Sequence, residues 1–257
     1  MKYFIFFLFF IFSLNLHSQN KKIKLYEYGF NLSYLVSNHF SDFKELNEKK
    51  NCCDNEFTQA NGSGLAINLF YSERLFSAYH WSIGLSYANH RANFKSYETK
   101  PTFILQLNDI KDSKIIHNLE TQMHNIGITP KIFWNYLDFN LGFSLDLNFL
   151  TNSNFSYYEL LDEKNGYTFE NHSTERNFIE DEINNTNILL IEPSLSFSYD
   201  IPLNNKFSYA ISPEIKVSYL LNNIISNNNW NYFAIYFGIN FKKLRFDKSD
   251  NPLQPIN

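Results

Sequence analysis

Apolar and polar positions alternate along most of this chain with a period of two. At 25–36, Tyr26, Tyr28, Phe30, Leu32, Tyr34 and Val36 share one face, while Glu27, Gly29, Asn31 and Ser33 share the other. A strand produces that spacing and a helix does not. The pattern returns at 63–73, 79–92, 137–149, 188–201, 206–221 and 230–244. It is cleanest at 137–149, where Leu137, Phe139, Leu141, Phe143, Leu145, Leu147 and Phe149 alternate with Asp138, Asn140, Gly142, Ser144, Asp146 and Asn148. A further segment, 116–134, sets Leu119, Thr121 and Met123 in one phase and Ile126, Ile128, Ile132 and Trp134 in the other. That change of phase predicts a bulge near His124 and Asn125.

About eight strands follow, each long enough for the roughly 9 to 11 residues that a tilted membrane strand requires. Their connections alternate in length. Long ones fall at 37–62, 93–115 and 150–187, and short ones near 74–78, 135–136 and 202–205. The homogeneous face is aromatic and aliphatic and the mixed face is small and polar, the reverse of a soluble barrel with a polar exterior. The expected fold is therefore all-β: a transmembrane antiparallel up-and-down β-barrel of about eight strands, with long external loops and short periplasmic turns. A ten-strand ring is the alternative if part of the third loop pairs. Tyr26, Tyr79, Trp81, Trp134 and Trp230 fall near strand ends, where an interfacial aromatic girdle is expected.

The N-terminus changes the picture. Met1-Lys2-Tyr3 and an uninterrupted apolar run over 4–12 read as a signal peptide. The run is too short to span a bilayer as a helix. Cleavage is expected after Ser18 or Gln19, giving a signal peptide at 1–19, a barrel domain at 20–246 and a polar periplasmic tail at 247–257. The 27 Phe and 17 Tyr of the 257 residues coexist with a formal net charge of −4. Removal of Lys2 with the leader makes the charge more negative, so nucleic acid is not an expected partner. Cys52 and Cys53 are adjacent and polar-flanked, which predicts a vicinal disulfide or two free loop thiols rather than a metal site.

With its signal peptide, the Gln19-Asn20 junction, the alternating strands and the closing run YFAIYFGINF at 232–241, the chain resembles the PorT-like outer-membrane β-barrel family of Bacteroidetes. The resemblance implies the outer membrane of a Gram-negative cell as location. It also implies outer-membrane lipid as surroundings, and the barrel-assembly machinery as a partner during insertion, since the apolar end of the last strand looks like its recognition signal. Some members of the family serve secretion and gliding, so envelope or secretion-complex proteins are implied as further partners.

The chemistry that the residues offer is sparse. An eight-stranded barrel is just wide enough for its own side chains to fill. Glu27, Lys131, Asp146, Glu192, Glu214 and Lys216 are the expected inward charges, and Lys131 and Lys216 are expected to pair with the carboxylates because an unpartnered buried charge is costly. A structural polar network is the first reading of these six, and an ion or proton path is the other. A hydrolase reading needs His90, His117 and His124 to meet Glu120 at the outer rim. His80 and His90 both face inward, but ten residues of strand hold them apart. The acids of the third loop, Glu159, Asp162, Glu163, Glu170, Glu175, Glu180, Asp181 and Glu182, lack the ligand spacing of a calcium motif and read as a solvated surface. The chain is expected to be a non-enzymatic envelope component with no catalytic residue, metal or cofactor. A small channel running past Tyr232, Tyr236 and Lys216 and a lipid-modifying enzyme are the alternatives.

Overall fold

A strand that alternates over its whole length can bond to neighbours on both edges, and the antiparallel pairing closes the chain on itself. In the computed structural model, β1 (Lys24–Phe43) bonds on one edge to β4 (Phe57–Phe76) and on the other to β12 (Trp230–Phe246). The ring continues from β4 through β5 (Tyr79–Ile104), β6 (Asp109–Tyr136), β7 (Phe139–Leu161), β9 (Leu189–Tyr199) and β11 (Tyr209–Tyr219) back to β12. Eight strands thus form the wall. The short β10 (Ile201–Pro202) continues β9 along the same edge of β11 and in the same register, and a short pair, β2 (Glu45–Leu46) with β3 (Lys49–Lys50), lies outside the wall. The structure describes residues 24–43, 45–46, 49–50, 57–76, 78–136, 138–161, 167–204 and 208–246. The expected signal peptide, Cys52, Cys53, Asp162, Glu163 and the C-terminal tail lie outside them.

The exterior is apolar over a band of four to six outward residues per strand. On β7 it runs Leu141, Phe143, Leu145, Leu147, Phe149, and on β12 Phe233, Ile235, Phe237, Ile239, Phe241. Leu141 and Phe143 are 53% and 54% exposed, a level of apolar exposure that only lipid makes favourable. Trp134 stacks on Tyr136, and Phe139 stacks on Phe197 and meets Tyr199 at a tilt, at the short-turn end of the band. A closed antiparallel wall with this belt is the architecture of an integral outer-membrane protein, and the belt's height, roughly 25 Å, suits a bilayer.

The external loops expected at 93–115 and 150–187 are largely strand. β5 and β6 stay paired from Tyr79–Trp134 up to Ile104–Asp109, far above the belt's upper row at Tyr87, Ile126 and Phe149. β8 (Glu175–Glu182), inside the expected third loop, pairs with the upper half of β7. The result is a four-stranded external sheet, β5–β6–β7–β8, whereas the β11–β12 connection, 220–229, holds no strand. Alternation over these upper stretches is hidden in the sequence because both faces carry polar and apolar residues.

The predicted bulge is real in position but lies on the other strand. Between His124 and Asn125 the β6–β7 register skips Thr151, whose hydroxyl donates to the His124 carbonyl at 2.8 Å. β6 itself keeps one phase against β5 throughout. Leu119 and Met123 are buried inward and Ile126, Ile128 and Ile132 face outward. The apolar set changes face because the upper lumen is apolar, not because the pleat breaks.

Candidate functional site

The lumen is divided into three layers. At the periplasmic mouth, Lys24 bridges Glu27 and Asp200, and Lys242 sits 2.8 Å from Asp200 Oδ1 and 3.7 Å from Glu27 Oε1. Asn140 and Ser212 also donate to Asp200 Oδ1. The Phe133 ring stacks on His80 at 5.0 Å between centroids and closes this floor.

Above it lies the polar middle layer, around a cavity of about 80 Å³, room for a few waters. Lys131 approaches Glu214 Oε2 at 3.8 Å, and Lys216 meets Asp146 Oδ2 at 2.9 Å with its ammonium 4.0 Å from the Tyr236 ring centroid. Glu192, fully buried, accepts four hydrogen bonds, from Ser218, Tyr232 (3.1 Å), Tyr236 (3.0 Å) and Asn148 (3.2 Å).

The third layer is an apolar plug. Leu35, Phe94, Leu119, Met123, Trp230 and Tyr232 converge in the upper lumen, and Leu220, Ile224 and Ile225 fold in from the β11–β12 connection; each is at most 4% exposed. Trp230 Nε1 donates to His39 Nδ1 at 3.2 Å, so the His39 proton sits on Nε2 and reaches Ser37 Oγ at 2.9 Å. Trp230 therefore belongs to the plug, and its expected place in the interfacial girdle is corrected. A tryptophan near a strand start signals a girdle only if its parity is outward, and Trp230 shares the inward parity of Tyr232 and Ala234.

All six sequence-predicted interior charges face the lumen, and the structure divides them among different partners. Lys131 pairs with Glu214 and Lys216 with Asp146, whereas Glu27 is held by Lys24 and Lys242, and Glu192 by hydroxyls and an amide. Lys24, Asp200 and Lys242 join them without having been among the six. Asp200 and Lys242 share the inward parity of Ser198 and Asn240, which is the signal that points to them, whereas Lys24 precedes the first clear alternation.

The histidines do not assemble. His90 is buried inside the barrel opposite Met123. His117 lies opposite Ser96, six residues or roughly 20 Å farther along the strand. His124 faces outward, bonded to the Tyr87 hydroxyl at 2.7 Å. Among the described residues no group of three or more His, Cys, Asp or Glu is arranged to hold a metal ion.

The external sheet has its own charge cluster, and this corrects the reading of Glu159 as part of a solvated loop. Glu159 is 1% exposed and accepts from Arg176 Nε at 2.7 Å and Lys100 Nζ at 3.4 Å. His117 bonds the Tyr157 hydroxyl at 2.7 Å and Glu98 Oε2 at 3.2 Å. Burial holds the His117 imidazole below its ordinary range despite the pull of Glu159 and Glu98 in the other direction. Above the cluster Ile104, Ile115, Leu161 and Phe169 form a small second core. Glu170, Glu175, Glu180, Asp181 and Glu182 are exposed, as a solvated surface requires.

Fold and interior together define an integral outer-membrane β-barrel with a filled lumen. No family model matches the chain, and no curated protein matches it in sequence. Among solved structures it is similar to OprG from Pseudomonas aeruginosa, at 10% identity over 89% of this chain and 99% of that one with a TM-score of 0.38. It is also similar to Ail, the attachment invasion locus protein of Yersinia pestis, at 8% identity over 86% and 99% with a TM-score of 0.33. A third is Neisserial surface protein A, at 9% identity over 83% and 97% with a TM-score of 0.33.

Proposed function

We propose that this chain is a non-enzymatic structural or interaction component of the cell envelope, acting through its external sheet and its contacts with other envelope proteins. A role accessory to protein secretion is what the PorT-like resemblance adds to that reading. The observation that carries it is the filled lumen beneath the external sheet of β5–β8. The interior has ion pairs at its floor and an apolar plug at its roof, while the wall continues well beyond the membrane as an ordered, charge-stapled surface. A barrel whose described interior is filled by ion pairs and an apolar plug beneath a built external face is suited to contact rather than flux.

The second reading is a small channel, favoured by the cavity in the middle layer. It requires the plug around Trp230 and Tyr232 to move. The test of the first reading is a tagged pull-down from native outer membranes in mild detergent after brief crosslinking. A stoichiometric envelope partner is expected, lost when the external sheet above Phe94 and Leu119 is replaced by a short turn. A barrel recovered alone would overturn the interaction reading.

A further inference from the structure

One stretch of the lipid-facing wall differs from the rest in shape and charge. Across β12, β1, β4 and β5 the exterior is indented by a groove of about 820 Å³, lined by Phe30, Leu69, Leu85 and Phe241, with Tyr28 and Lys243 at its short-turn end. Phe30 and Phe241 stack at 4.9 Å to form part of its surface. The groove is apolar where the belt is apolar and becomes basic where the belt ends.

The basic end is built from successive outward positions of β12. Lys243 stands in one row between Tyr28 and Tyr209, its ammonium 5.6 Å and 6.0 Å from their ring centroids. Arg245 stands in the next row and donates to the Tyr26 hydroxyl at 2.8 Å. Both are exposed on the lipid side, whereas Lys242 and Leu244 between and beside them point into the barrel. Glu73, across Tyr26 on β4, is the acid nearest in register, so two bases face one acid here.

We propose that this groove binds an anionic phospholipid of the periplasmic leaflet, its acyl chain along Phe30, Leu69 and Leu85 and its phosphate at Lys243 and Arg245. The complementarity is twofold. Apolar lining above matches the chain, and two cations flanked by three tyrosine hydroxyls match a phosphate at the depth where headgroups lie. The aromatic faces beside Lys243 keep its ammonium at the interface.

The test is native mass spectrometry of the full chain, released from nanodiscs holding equal amounts of phosphatidylglycerol and phosphatidylcholine with the same acyl chains. One phosphatidylglycerol is expected to stay bound, preferred on the order of tenfold over phosphatidylcholine. In K243Q/R245Q the preference falls to parity, and in K243R/R245K it is kept. A K95Q variant, altered on the same barrel above the belt, keeps it as well. Heat-modifiable migration on gels establishes that each variant is folded. Equal retention of both lipids by the unaltered protein, or an undiminished preference in K243Q/R245Q, would overturn the proposal.

Discussion

Asp146 and Glu192 stand directly opposite one another across the β7–β9 ladder, two buried carboxylates in register on the lumen side. Like charges so placed repel, and the arrangement persists because Lys216 takes Asp146 at 2.9 Å while four neutral donors take Glu192. Lys216→Met removes the cation and leaves Asp146 buried without it, which costs about 3 to 5 kcal/mol. Urea unfolding in lipid vesicles is expected to show that loss, and the double variant D146N/K216M is expected to recover part of it. A fully additive double variant would show that the two side chains do not act as a pair.

The plug makes a prediction of its own. Trp230→Ala and Phe94→Ala each remove a large, fully buried ring from the upper lumen and should cost roughly 3 to 5 kcal/mol, because a rigid wall cannot collapse onto the space. Unfolding midpoints check this. Midpoints unchanged in both would mean the rings are not packed as described.

His117 sets a pH dependence for the external sheet. Its folded-state proton affinity is held below the ordinary 6.5 by burial, so the unfolded segment takes up a proton first. Stability from this group is level above about pH 6.5 and falls as pH drops through that value. Protection factors at 113–119, corrected for the intrinsic pH dependence of amide exchange, are expected to fall between pH 7.5 and 5.5, and His117→Gln is expected to flatten the change. A segment equally protected at both pH values would contradict this.

Thr151 is the extra residue that the β6–β7 register accommodates. Deleting it leaves Asn152 opposite His124 and Leu150 opposite Asn125 with no residue to skip, so Phe155 and Glu159 keep facing inward. The expected result is protease resistance in the external sheet and heat-modifiable migration equal to those of the unaltered protein. Loss of that resistance would contradict the placement of the bulge.

Much of the membrane portion was legible in the sequence. Where one face meets lipid and the other a polar lumen, the two solvents write a clean alternation, as at 137–149. The same logic fails above and inside. In the upper lumen the inward face is itself apolar, so Leu119 and Met123 read as a change of phase and Trp230 as a girdle residue. In the external sheet both faces are mixed, so β8 and the upper halves of β5, β6 and β7 read as loop. The interior charges could be found by parity, but parity does not say which cation reaches which carboxylate across the barrel. That depends on closure of the ring, which brings Lys24 to Asp200 across 176 positions of the sequence.

The central claim is that the lumen offers no through path. It is tested most directly by reconstituting the purified barrel into planar bilayers and recording current across a range of voltages. The account predicts no single-channel events from the unaltered protein, and steady conductance from a variant carrying F94A, W230A and Y232A together. Reproducible ohmic openings from the unaltered barrel would contradict it and move the assignment to a channel.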